Sequence, residues 1–193
     1  MMISAGVLTV SDKGSRGERE DRSGPVIRRM LAGIGAEVVR SAIVPDEMSA
    51  IADCLREWAD REGLDLILTT GGTGFSQRDV TPEATAPLLE RAAPGISEAI
   101  RAEGRKKTPH AMLSRGTAGI RGRTLIVNLP GSPRGVEESL SAVLPALRHG
   151  IEILRGDVRE CGSAPPGAQG GGEGPDSRGE GRKEGPLVKE GTS

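Results

Sequence analysis

Short apolar runs alternate along this chain with segments whose apolar residues recur every three or four positions. Ile3 to Val10, rich in small and β-branched residues, predicts a first strand. Pro25 begins a helix in which Val26, Ile27, Met30, Leu31 and Ile34 share a face, closed by Gly33 and Gly35. Ala36 to Val44 predicts a second strand, and Ile51, Cys54, Leu55 and Trp58 mark one face of the helix after it, with Asp46 placed as its N-cap. Leu64, Leu66, Ile67 and Leu68, ending in Thr69 and Thr70, form a run without polar alternation, as a strand buried on both faces requires. Thr81 as N-cap and Pro82 as first helical residue start a helix to Ala92, interrupted at Pro87. Pro94 starts another, running to about Glu103. Arg123 to Leu129 predicts a further strand, and Ser132 with Pro133 opens a last helix reaching about Leu154, broken or kinked at Pro145. This alternation predicts an α/β domain of three layers, α/β/α, with a mainly parallel sheet and right-handed crossovers.

Composition changes the picture at the C-terminal end. The chain has 193 residues, of which 1–160 suit one folded domain with a sizeable core. Residues 161–193 are dominated by Gly, Pro and charge and predict a disordered tail without a catalytic part, because too little apolar surface is present to offset ordering entropy. One Trp, one Phe and no Tyr leave the core to aliphatic residues and provide no stacking platforms for bases. With a formal net charge of −1, a nucleic-acid partner is not expected. Cys54 and Cys161 make neither a disulfide framework nor a paired metal-ligand spacing; Cys54 reads as a buried filler and Cys161 as an idle thiol. No segment has the apolar length to span a bilayer and the start lacks a leader pattern, so a soluble, cytoplasmic protein without a membrane partner is expected.

The chemistry concentrates after the third strand. Gly71, Gly72 and Gly74 free the backbone for positive φ and expose bare N–H groups, a way of cradling phosphate, although glycine loops after strands also serve as plain turns. The loop lacks the Gly-Lys-Ser/Thr ending of a P-loop and the glycine spacing of the dinucleotide fingerprint. Asp79 follows the loop, and Asp46 lies where the second strand's carboxyl end meets the crevice of an open parallel sheet. Two carboxylates together with substrate phosphates suit a hard cation, here Mg²⁺. The first strand delivers Ser11 and Asp12 to the same edge, and the charged loop that follows is either a ligand-covering flap or solvated slack. Pro130 and Gly131 place a second bare turn there. Arg101, Arg105, Lys106, Lys107, Arg115, Arg121 and Arg123 form a basic run that is either a solvated face or the lining of an anion channel, with Ser114 and Arg115 singled out. His110 and His149 are the only histidines, and no Ser-His-Asp or Cys-His pair is suggested, so covalent hydrolysis is not expected. Phosphoryl or nucleotidyl transfer fits, since positioning, a divalent cation and charge neutralisation supply most of what it needs.

Six segments, in order, resemble the molybdopterin adenylyltransferases of the molybdenum cofactor biosynthesis family: VSDKGSRGEREDRSGP, IVPDE, LILTTGGTGFSQRDVTPEAT, PGISEAIR, AMLSRGTAGIRG and LIVNLPGSP. The resemblance implies that family's fold and the joining of AMP from ATP to the phosphate of molybdopterin, with Mg²⁺ and release of pyrophosphate. It implies Asp46 and Asp79 as catalytic and metal-binding residues. Thr70, Gly71, Gly72, Thr73 and Gly74, with Pro130 and Gly131, become substrate-binding backbone; Ser114 falls on the pterin side, and Arg115, Ser11 and Asp12 join the contacts. A homotrimer or hexamer and hand-over to a molybdate-inserting protein are implied too. Close relatives of the same fold lack adenylyl transfer, which leaves a non-catalytic pterin-binding scaffold as the alternative; a phosphatase of pyridine nucleotides or nucleotide sugars is a third reading. The family pattern does not require the Gly-rich tail.

Overall fold

A computed structural model of the chain describes residues 2–157. The strands are β1 (Ile3–Val10), β2 (Ala36–Val44), β3 (Leu66–Thr70), β4 (Arg91–Ala92), β5 (Ala118–Arg121) and β6 (Thr124–Leu129), in one sheet of order β2-β1-β3-β6-β5-β4. β2, β1, β3 and β6 run parallel, while β5 and β4 are antiparallel additions at the edge. The mainly parallel sheet expected from the apolar runs is therefore observed. Its chain order reverses between β1 and β3, which makes the carboxyl ends of those strands the natural crevice.

The helices are α1 (Asp12–Ser15), α2 (Ser23–Ala32), α3 (Met48–Arg56), α4 (Thr81–Thr85), α5 (Pro94–Arg105) and α6 (Pro133–Arg155). Alternation along the strands divides the core. Ala5, Val7, Leu66, Leu68, Leu125 and Val127 face α2, α5 and α6, whereas Leu8, Val10, Ile67 and Ile126 face α3 and α4. Val136, Leu140, Leu147 and Ile151 form the stripe by which α6 seals the first face, each such burial worth about 2 kcal/mol. On the second face Trp58 packs where Gly6 has no side chain; a Cβ there would lie 2.6 Å from the indole. No helix among the described residues is long and apolar enough to cross a membrane.

Several local expectations are corrected. The helix after β3 stops at Thr85, passes through a 3₁₀ turn over Ala86–Leu88 and enters β4, because Pro87 cannot extend the hydrogen-bond ladder. Thr81 is not its cap: the Thr81 hydroxyl donates to the Gly71 carbonyl. Asp46 does not cap α3 either, which begins after an extended Glu47 without a side-chain cap. Trp58 lies beyond α3, in a π-helical turn over Glu57–Arg61. Pro145 does not break α6; it sits on the exposed side, where the carbonyl that loses its donor is open to water. Ser132 does cap α6, accepting from the Gly135 amide. Cys161 and the segment 161–193 lie outside the described residues.

Candidate functional site

The carboxyl ends of the four parallel strands converge on two glycine turns. Gly71 has φ 99° and a Cβ there would fall 2.3 Å from the Val10 carbonyl; Gly72 has φ 63° and would clash at 2.3 Å with the Thr81 hydroxyl. No larger residue fits either position. The Gly71 and Gly72 carbonyls turn inward to accept from the Thr81 hydroxyl and amide, at 2.9 and 3.0 Å. The amides of Gly72, Thr73 and Gly74 donate to no group among the described residues, which leaves them as donors for an anion. The Pro130-Gly131 turn packs directly on this loop: the Thr70 hydroxyl donates to the Pro130 carbonyl at 2.6 Å, and Gly131 approaches so closely that a Cβ would sit 3.2 Å from the Gly71 Cα.

Asp46 and Asp79 flank the same stretch. Asp46 Oδ1 lies against Gly72, 3.2 Å from where a Cβ would be, and Asp79 Oδ2 lies against Gly74 at 2.8 Å from the equivalent point. Asp79 Oδ2 accepts from the Ser76 amide at 2.9 Å, and Asp46 Oδ2 accepts from the Asp12 amide at 2.7 Å. Burial pushes the Asp46 carboxyl above its ordinary pKa; the Asp12 amide pulls it back, and the negative charges of Asp12 and Asp79 raise it again. Asp46 Oδ1 has no hydrogen-bond partner among the described residues. Two carboxylates that repel each other beside an anion nest suit a hard cation that takes its remaining oxygens from substrate and water. Among the described residues no group of three or more His, Cys, Asp and Glu could hold a metal by itself.

Two cavities open on either side of the glycine turns, and Gly72, Gly131 and Ser132 line both. One, of about 620 Å³, is walled by Thr73, Gly74, Asp79, Ser114 and Pro130, with Arg101, Lys107 and Arg134 as its cations. The other, of about 670 Å³, is walled by Ser11, Thr70, Gly71, Asp21 and Ser23. Ser11 also caps α1 through the Gly14 amide. The charged loop before α2 is tied down by Asp21, which accepts from the Thr9 hydroxyl and the Ser23 and Gly24 amides; it forms a wall of the second cavity.

Three of the expected site residues lie outside both cavity linings. Arg115 lines neither cavity; its guanidinium donates to the Gly74 and Asp79 carbonyls and pairs with Glu83, so it clamps the glycine loop from behind. Asp12 and Asp46 are likewise outside both linings; they exchange hydrogen bonds with each other, and Asp46 meets the glycine loop through Oδ1 beside Gly72. The basic run divides: Arg101 and Lys107 reach the first cavity, while Arg121 turns away to Asp60 and Lys106 to Glu103. Sequence reasoning missed Arg78, Arg134 and Asn128. Arg78 was legible only as a neighbour of Asp79, and Asn128 looked like one more strand position.

The profile of the family described as "Probable molybdopterin binding domain" matches residues 6–149. The chain is 41% identical over 160 residues to the molybdopterin adenylyltransferase of Helicobacter pylori strain J99, covering 82% of this chain and 91% of that protein. It is 48% identical over 157 residues to the molybdenum cofactor synthesis protein cinnamon of Drosophila melanogaster, covering 81% of this chain but spanning only 26% of the fly protein's length. Among solved structures, a molybdopterin biosynthesis enzyme MoaB from Thermus thermophilus superposes with a TM-score of 0.77 at 59% identity, covering 80% of this chain and 98% of that one.

Proposed function

The chain belongs to the molybdopterin-binding domain family of molybdenum cofactor biosynthesis, and on that premise we propose that it is a molybdopterin adenylyltransferase. The reaction joins a phosphate oxygen of molybdopterin to the α-phosphorus of ATP and breaks the bond to the β-phosphate, releasing pyrophosphate. A phosphate monoester is ionised at neutral pH, so the nucleophile needs no general base. What this chain must supply is alignment and charge neutralisation.

The observation that carries the reading is the convergence of Asp46 and Asp79, from separate crossovers, on the bare amides of Gly72, Thr73 and Gly74. The amides offer donors to a polyphosphate, and the two cavities that share the Gly72 and Gly131 wall offer room for a substrate on each side. Mg²⁺, held by Asp46 and Asp79 together with phosphate oxygens, would neutralise charge developing at the reacting phosphorus and on the leaving pyrophosphate. A homotrimeric assembly and delivery of the adenylated pterin to a molybdate-inserting protein belong to the same reading.

Incubating purified protein with molybdopterin, ATP and Mg²⁺ tests it. Adenylated pterin and pyrophosphate in equal amounts are expected. Saturable molybdopterin binding without pyrophosphate release overturns the enzyme in favour of a pterin-holding scaffold.

A further inference from the structure

We infer that Asp12 and Arg78 form a strut that sets the spacing of Asp46 and Asp79, which makes both of them positioning residues. The inference deepens the proposed function and rests on it for its kinetic consequence. Asp12 is the first residue of α1 and Asp46 lies in the β2–α3 connection, two segments 34 positions apart in the chain. Each donates its backbone amide to the other's carboxylate: Asp12 N–H to Asp46 Oδ2 at 2.7 Å, and Asp46 N–H to Asp12 Oδ1 at 3.1 Å. This reciprocal pair fixes Asp46 Oδ2 and thereby turns Oδ1 toward Gly72.

Arg78 completes the frame. Its Nε donates to Asp12 Oδ2 at 3.0 Å and its Nη2 to Asp12 Oδ1 at 2.8 Å, a planar fork on a planar carboxylate. The next residue in the chain is Asp79. The path Asp46, Asp12, Arg78, Asp79 therefore links the two candidate metal carboxylates, of which Asp79 lines the first cavity and Asp46 neither, through two residues that line neither. A carboxylate placed for substrate contact would keep an oxygen free, whereas both oxygens of Asp12 are taken by Arg78 and one of them also by the Asp46 amide. The fork also places a positive charge beside three negative ones without taking an oxygen from Asp46 or Asp79. Asp12 is about a quarter exposed and Arg78 is 56% exposed, so the pair contributes little to global stability. Its geometry matters instead, because a displacement of about 1 Å at a reacting centre can lower a rate about a hundredfold.

Four variants test the strut: Arg78→Gln, Arg78→Lys, Asp12→Asn and Asp12→Ala. Amide hydrogen exchange of the protein without substrates reads the frame directly. Faster exchange at the Asp12 and Asp46 amides, by about tenfold or more in Arg78→Gln, is expected while the β3 amides keep their protection. Unchanged exchange at both amides overturns the inference whether or not the protein turns over. In adenylylation assays, Arg78→Gln and Asp12→Ala are expected to lower kcat about tenfold or more with KM for ATP within about twofold. Asp12→Asn, which keeps the acceptor for the Asp46 amide, and Arg78→Lys, which keeps the charge but not the fork, fall between these and the parent. Parent-like kcat in Arg78→Gln and Asp12→Ala overturns the positioning role, as does a loss accounted for by lowered melting temperature. A parent protein that makes no adenylated pterin contradicts the proposed function instead, and the exchange measurement still decides the strut.

Discussion

Asp46 and Asp79 carry the same functional group but are held differently, and that difference separates their mutational outcomes. Asp79 keeps one oxygen on the Ser76 amide, a bond that asparagine's carbonyl can also make. Asp79→Asn is therefore expected to fold and melt like the parent while turnover drops about a hundredfold or more, since it removes charge at the reacting centre. Asp46 is half-buried and repelled by its acidic neighbours, so its ionised form opposes folding at neutral pH. Asp46→Asn keeps the acceptor for the Asp12 amide and is expected to melt no lower than the parent while losing turnover to a similar degree; thermal melts and product assays on both variants check the pair. The placement of these aspartates beside the glycines was readable in the chain: glycine marks a close approach that admits no side chain, and each carboxylate follows a strand end. The bonding of Arg115 and Asp12 was not readable, because their partners, Gly74 and Glu83 for one and Asp46 for the other, come from distant segments and leave no local signature.

At the scale of elements, β6 is joined to α4 by a buried polar chain in an otherwise aliphatic layer. Asn128 donates through Nδ2 to the hydroxyls of Thr69 and Thr85 at 2.9 and 3.1 Å and accepts at Oδ1 from the Thr117 amide. The Thr85 hydroxyl donates to the Thr81 carbonyl, and the Thr81 hydroxyl to that of Gly71. The helix that follows the glycine loop is thus fixed from inside the sheet. Asn128→Leu leaves the Thr117 amide without its partner and strips both hydroxyls of a donor, and is expected to cost about 2–3 kcal/mol in denaturant unfolding. β1, β3 and β6 were legible because their apolar residues form unbroken runs, β2 because β-branched residues flank its polar centre, and the stripe of α6 because its period holds through Pro145. β4 and β5 were not: two and four residues, one of them a glycine packed against Leu89 and the Arg91 carbonyl, give no periodicity to read. They exist because antiparallel pairing satisfies the outer edge of β6, a tertiary demand.

The described domain as a whole is closed at the end opposite the glycine turns by one ion pair. Asp65, at the entrance of β3, accepts from the Ser4 amide and hydroxyl and from the guanidinium of Arg155 in the last turn of α6, tying the first strand to the last helix. Burial alone would raise the Asp65 carboxyl, but Arg155 and Ser4 outweigh it and hold the pKa at about 2. A carboxylate held below its unfolded value stabilises the fold at pH above about 4 and loses that contribution as pH falls toward 2. The parent is expected to lose about 1–2 kcal/mol more than Asp65→Asn between pH 5 and pH 2, allowing for partial solvent screening, and urea titrations at the two pH values measure the difference.

The seating of Trp58 over Gly6 has a practical corollary. It is the only indole in the chain, and there is no tyrosine, so intrinsic ultraviolet emission originates at a single address on the face of the sheet covered by α3. It senses the packing of the turn that follows that helix on Gly6 of β1, so changes in its colour report on that contact.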